Sequence, residues 1–293
     1  MSDITIPLPA AGTSASLSRF GQRLLHDPRA CVGGFIVLAL VLVAILAPLL
    51  APYPFDEVDL LGAWAPPSPE HWMGADKLGR DILSRLLFGA RTSLIVSLSV
   101  VAITLVVGVT LGMLAGYFEG WIDTGIMRLV DIILAFPDMV FAILVTAILG
   151  PSMATVIVAL SLVWWPGAAR LTRSLVLVQK NELYVDAAIV CGTPVWRIFL
   201  RHLLPNIVAP LIVRASVGIG LIIMAEASLS LLGLGVQEPQ PSWGSMIRDG
   251  LEALRTDPYL ALFGSTVLAI TIIGFNLLGD ALRDLLDPRL GGR

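Results

Sequence analysis

Of the 293 residues, 56% are hydrophobic and 14% charged, with a mean hydropathy of +0.86. A soluble domain carries about 25% charged residues, so the composition excludes an ordinary soluble protein and points to an integral membrane chain. The net charge of −3 says little about partners, and the two cysteines, Cys31 and Cys191, lack metal-ligand spacing and read as free thiols.

Residues 1–18 are small, polar and proline-containing, which predicts a disordered lead. Arg19, Arg23 and Arg29 follow, then Ala30–Ala51, 22 apolar residues without a charge. About 20 such residues cross a bilayer core. A cleaved signal peptide has a shorter apolar region, about 7–15 residues, and Pro48 and Pro52 stand where cleavage would fall. The run therefore reads as a retained first span, 30–51, behind a tail, 1–29. Residues 52–91 form a loop, proline-rich at its start. In its second half Leu78, Ile82, Leu83, Leu86 and Leu87 have the spacing of an amphipathic helix lying on the outer membrane surface.

Apolar runs continue at Thr92–Tyr117, Leu129–Leu149, Met153–Ala169 and Tyr259–Gly279. One more runs from Ile207 to Gly235 and carries Arg214 and Glu226. The prediction is an all-α membrane protein with six transmembrane helices, because lipid admits only helices or closed barrels and these runs lack strand alternation. Residues 92–280 make a five-helix core, with an island at 170–205 and a tail at 281–293. With the N-terminus in the cytoplasm, thirteen Lys and Arg fall inside and six outside. That bias places the island and both termini in the cytoplasm.

Enzyme chemistry finds little support. Lys77 and Lys180 follow Asp76 and Gln179, so no Walker A loop exists to cradle a nucleotide. His26, His71 and His202 lie outside the spans, and neither G-x-S-x-G nor H-E-x-x-H occurs. No catalytic residue, metal ligand or cofactor is assigned to this chain.

Several residues within the spans bear two readings. Gly108, Gly112 and Gly116 make a flat helix face, for a moving interface or for plain packing. Pro137 should kink its helix, with Asp131 and Asp138 on nearly one face. Asp138 either faces a cavity or partner helix, or bonds a freed backbone N–H or an arginine. Glu226, Ser230 and Gly233 share a face, either lining a path or anchoring a helix interface. Trp164 and Trp165 fit an aromatic belt.

The island, Arg170–Pro205, holds five basic and two acidic residues. Leu183, Ala187 and Val190 share a face, and Ala187, Ala188 and Gly192 keep its profile low. Thr193-Pro194 then restarts a helix as cap and first residue. Asp186-Ala187-Ala188, Gly192 and Leu204-Pro205 resemble the E-A-A-x(3)-G loop of the inner-membrane permease subunits of ABC importers. Asp186 stands for the usual Glu, Cys191 precedes the glycine, and His202 replaces an Ile. "HWMGADKLGRDILSRLLFGARTSL", "GYFEGWIDTGIMRLVDIILAFP", "AEASLSLLGLGVQEPQPSWGSMI" and "FNLLGDALRDLLDP" are similar to the C-type permease of dipeptide, oligopeptide and nickel importers, with Asp138 where that family has an apolar or small residue.

This resemblance implies the type I ABC importer permease fold in a bacterial inner membrane, with a cytoplasmic coupling helix. Implied partners are a B-type permease, two cytoplasmic ATPases holding ATP and Mg²⁺, a periplasmic or lipid-anchored solute-binding protein, and membrane lipid, with no nucleic acid. Asp186, Ala187, Ala188 and Gly192 would dock on an ATPase; Asp138, Glu226 and Ser230 are candidates for the path or gate. Nickel or another small solute is the alternative cargo. A proton-coupled secondary transporter using Asp138 and Glu226 is the rival class, although no internal repeat is visible and Pro137 lacks a mate.

Overall fold

The computed structural model describes residues 26–255 and 258–286; Arg19, Arg23, Arg289 and Arg293 of the expected tails lie outside them. Described residues 281–286 are helical, so the last helix runs past the expected boundary at 280. Among the described residues the chain is helical, apart from one isolated β-bridge, Ala75–Asp81.

Helix α1 is Pro28–Leu50, opened by Pro28 and by the Asp27 carboxylate, which accepts from the Arg29 N–H at 2.8 Å. Helix α2, Ile82–Phe118, has 37 residues, about 55 Å at 1.5 Å per residue. Glu119 and Gly120, both at positive φ, break it from α3, Gly120–Leu134. Then come α4 (Asp138–Leu149), α5 (Met153–Gln179), α6 (Leu183–Val190) and α7 (Val195–Ile198). After α7 a π-turn, Phe199–Leu203, runs without a loop into α8, Leu204–Leu231. Helices α9 (Trp243–Glu252) and α10 (Tyr259–Leu286) complete the described chain.

Five helical runs are long and apolar enough to cross a membrane: α1, α2, α5, α7 through α8, and α10. The expected span Leu129–Leu149 is instead a pair, α3 and α4, bent by 88°. Pro137 lacks an N–H and drives the residue before it out of helical geometry, so α3 cannot run on. A sixth span exists only if this bent pair counts as one.

The expected helix on the outer membrane surface is corrected. Residues 82–91 are the first turns of α2, where Ile82 and Leu86 pack with Leu40, Ile223, Trp243 and Phe275. The apolar stripe was real, but it faces protein rather than lipid. Asp81 starts the helix: its Oδ2 accepts from the Ser84 N–H at 2.7 Å, and its Oδ1 lies 3.0 Å from His71 Nδ1.

Beside that start sits a buried ion network. Asp76 Oδ2 lies 2.7 Å from Arg80 Nε and 3.4 Å from Arg85 Nε, all three side chains 1–2% exposed. Arg80 also donates to Glu238 Oε1 at 2.9 Å, and Lys77 reaches Asp249 of α9 at 3.0 Å. These contacts tie the 52–81 loop to the segment between α8 and α9. The hydrogen bond from Arg80 holds the Glu238 carboxyl below its ordinary range. Its stabilisation is therefore present above the ordinary carboxylate range and is lost as pH falls through the depressed value. Thermal unfolding followed from pH 7 to pH 3 is expected to fall more steeply for the wild type than for Glu238→Gln. The difference is modest, because Glu238 is 41% exposed and screened.

Candidate functional site

At the far end of α2 the island is a folded unit on the bundle. Val185 and Ala188 of α6 are buried against Met113, Val176, Ile198, Leu203 and Ile207. The opposite face is open: Leu183 is 84% and Val190 88% exposed, and Asp186 and Ala187 lie between them at the surface. The expected docking set therefore divides. Asp186, Ala187 and Gly192 are at the surface, whereas Ala188 is core. A helix turns about 100° per residue, so adjacent alanines point to different faces.

Gly192, at φ +71, closes α6. Its N–H donates to Ile189 O at 2.9 Å and that of Thr193 to Ala188 O at 3.0 Å, the paired bonds of a Schellman end. A Cβ there would meet nothing within 4 Å, so the demand for glycine comes from the backbone and not from crowding. Pro194 precedes α7 in extended geometry and is not its first residue. Tyr184 Oη donates to Gln179 Oε1 at 2.6 Å and accepts from Asn206 Nδ2 at 3.2 Å, pinning α6 to the segments before and after it. Cys31 and Cys191 are exposed and form no disulfide with each other.

Gly108, Gly112 and Gly116 form the seam between α2 and α5. Added Cβ atoms would lie 2.6 Å from Ala168 Cβ, 2.5 Å from Ala169 O and 2.9 Å from Arg173 O. Helix α3 is held to α5 by Arg170–Asp131 at 2.7 Å and by the pairs Arg173–Asp123 and Lys180–Glu119. Asp131 thus ends on an arginine. The bend removes the shared face with Asp138, which is exposed in the first turn of α4, where a negative charge suits the helix N-terminus. Trp165 is buried against Val130 and Ala169, and Trp164 lines a half-open cavity between helices, which displaces the aromatic-belt expectation.

Glu226 is fully buried. Ser230 Oγ donates to its Oε1 at 2.8 Å, one turn on along α8, and Ser93 Oγ of α2 donates to its Oε2 at 3.3 Å. The carboxyl therefore links two spans, which is the anchoring reading. Glu226→Gln keeps the shape and one acceptor, whereas Glu226→Ala strands two buried hydroxyls beside a void. We expect thermal stability to drop by about 2–4 kcal/mol for the alanine variant and by less than half of that for glutamine. Equal losses in the two variants would remove the anchoring role.

Residues 108–292 match the family model described as the binding-protein-dependent transport system inner membrane component, and 17–67 match the N-terminal TM domain of oligopeptide transport permease C. The chain belongs to this family of inner-membrane permeases. It is an ABC importer permease of the C-type peptide group and a multi-pass inner-membrane protein. It is 43% identical to the glutathione transport system permease protein GsiD of Pectobacterium atrosepticum, over 92% of this chain and 90% of that one. The dipeptide permease DppC of Alkalihalophilus pseudofirmus is 42% identical, and the oligopeptide permease OppC of Bacillus subtilis 39%, each over 92% of this chain and 88% of the relative.

In this permease the site that sequence reasoning missed is the ion network around Asp76. Asp76 and Arg80 face each other across a turn rather than along a helix, and Glu238 is 158 residues away, so spacing left no signal for either pair.

Proposed function

We propose that this permease forms one membrane half of an ATP-driven importer of dipeptides or oligopeptides, paired with a homologous permease. Peptide cargo, over nickel, is favoured by the glutathione, dipeptide and oligopeptide systems named for its relatives. Two cytoplasmic ATPases hold ATP and Mg²⁺, since no Walker A loop occurs here, and a solute-binding protein delivers cargo from the other side. The charge bias supports cytoplasmic termini and a cytoplasmic island.

The observation that carries the coupling role is α6. Its outer face offers Leu183, Ala187 and Val190 beside Asp186, and its inner face is fixed in the bundle. An exposed apolar patch on a rigid support is what a docking helix needs. A push from an ATPase then reaches α8 through the packing of Val185 and Ala188 on Ile207 and Leu211, biasing a two-state membrane unit.

Ala187→Trp adds bulk where no packing is disturbed. In the reconstituted transporter, peptide uptake is expected to fall about tenfold or more, while the complex still assembles and hydrolyses ATP. Full coupled uptake by that variant would end the docking assignment. Gly192→Asn, which tolerates positive φ, separates backbone need from docking shape: it is expected to transport better than Gly192→Val.

A further inference from the structure

A cavity of about 660 Å³ lies among α2, α5, α8 and α10. Most of its wall is apolar, with Trp164, Pro210 and Gly218 among the lining. Three polar side chains enter it: Arg214 of α8, Arg283 of α10 and Thr104 of α2. None of the three has a hydrogen bond or ion pair among the described residues.

Arg283 is exposed in the last turn of α10, at the rim, whereas the other two are unusual. Arg214 was expected to be one of the cytoplasmic cations, but it lies ten residues into α8, about 15 Å from its start. A charge at such depth is costly unless it faces a water-filled cavity or a partner. Its guanidinium lies across Gly167 of α5, where a Cβ would sit 2.4 Å from Nη2, so the missing side chain leaves the fork its berth in the cavity. Thr104 is 7% exposed, and its Oγ1 is buried without a bond. Thr146 and Thr172 in other helices instead bond the carbonyl one turn back, at 3.0 and 2.9 Å. The half-buried Arg214 guanidinium, the exposed Arg283 at the rim and an uncommitted hydroxyl on one cavity select an anion, and the planar fork of arginine matches a carboxylate.

We infer that this cavity holds the terminal carboxylate of a short peptide in passage, with Arg214 and Arg283 supplying the charge and Thr104 a neutral donor. This rests on the peptide-importer reading above. The volume falls within the range of about 300–1,000 Å³ typical of small-ligand sites, and an apolar wall with few convergent polar groups is their usual lining. The apolar surface takes peptide side chains with little selectivity, while the feature common to all linear peptides, the carboxylate, meets the arginines.

The test uses the whole transporter in proteoliposomes, with its partner permease, ATPases and binding protein. Uptake of trialanine and of its C-terminal amide is measured, each normalised to binding-protein occupancy. The wild type is expected to prefer the free carboxylate. Arg214→Gln should cut trialanine uptake about tenfold and leave the amide nearly unchanged, because a charge-assisted bond is lost only with the carboxylate. Arg214→Lys should recover part of the preference, keeping charge without the fork. Thr104→Val should weaken the preference without lowering thermal stability, since the hydroxyl it removes has no internal partner.

Equal losses for both peptides, or no loss, would overturn the assignment. So would loss of co-purification of the partner permease with Arg214→Gln, which would make the anion an acidic side chain of that partner. A loss that follows the anionic lipid content of the vesicles, and not the peptide terminus, would give the site to a lipid phosphate. Failure of the assembled wild type to move either peptide would sink the peptide reading and this assignment together.

Discussion

Asp76→Ala is expected to destabilise the protein by about 3–5 kcal/mol, because it leaves two buried arginines without the carboxylate they share. Arg80 and Arg85 both point at Asp76 Oδ2, and all three side chains are almost fully enclosed. Arg80 keeps Glu238, whereas Arg85 keeps only a 3.4 Å contact from Nη1 to the Phe55 carbonyl. Unfolding in detergent, followed by heat or denaturant, gives the measurement. The penalty comes from unpaired charge and not from a net benefit of the ion pairs, so removing all three charges in Asp76→Leu/Arg80→Met/Arg85→Met should recover much of the loss. A single variant within about 1 kcal/mol of wild type would show that water reaches the network.

Gly112→Leu is the second large effect. Even a methyl at Gly112 would sit 2.5 Å from Ala169 O and 2.6 Å from Thr172 Cβ, and backbone cannot step aside as a side-chain tip can. Alanine there is expected to cost about 1–3 kcal/mol by overpacking, and leucine to part α2 from α5 and abolish the monodisperse folded fraction in size-exclusion chromatography. Gly125→Leu is the control: it lies on exposed α3 surface with nothing within 4 Å of the added Cβ. If the two leucine variants behaved alike, close approach would not be what glycine provides at position 112.

The spans, the break at Pro137 and the shared face of Glu226 and Ser230 were legible because each is local: run length, a missing N–H and helical period. What was illegible depends on what lies opposite. Ile82 and Leu86 make the same stripe whether lipid or Trp243 faces it, so the residues that open α2 read as a surface helix. Ala187 and Ala188 are both small, and composition does not say which one turns inward. Arg214 was counted with the inside cations although it stands within the run Ile207–Gly235, since counting sees sign and not depth. The exposed face of α6 was readable from the spacing of Leu183, Ala187 and Val190, whereas the cavity around Arg214 needed four helices brought together.

The two ends of α2 differ in kind. One is clamped by Asp76, Arg80 and Trp243, whose Nε1 donates to Leu86 O at 3.1 Å; the other carries the island, the exposed α6 face and exposed ion pairs such as Arg170–Asp131. A beam fixed at one end and loaded at the other has its pivot in the clamp. Over a helix of about 55 Å, a tilt of about 10° would sweep the loaded end through roughly 10 Å. The clamped end would barely stir, so the stroke grows along the helix without any helix having to bend.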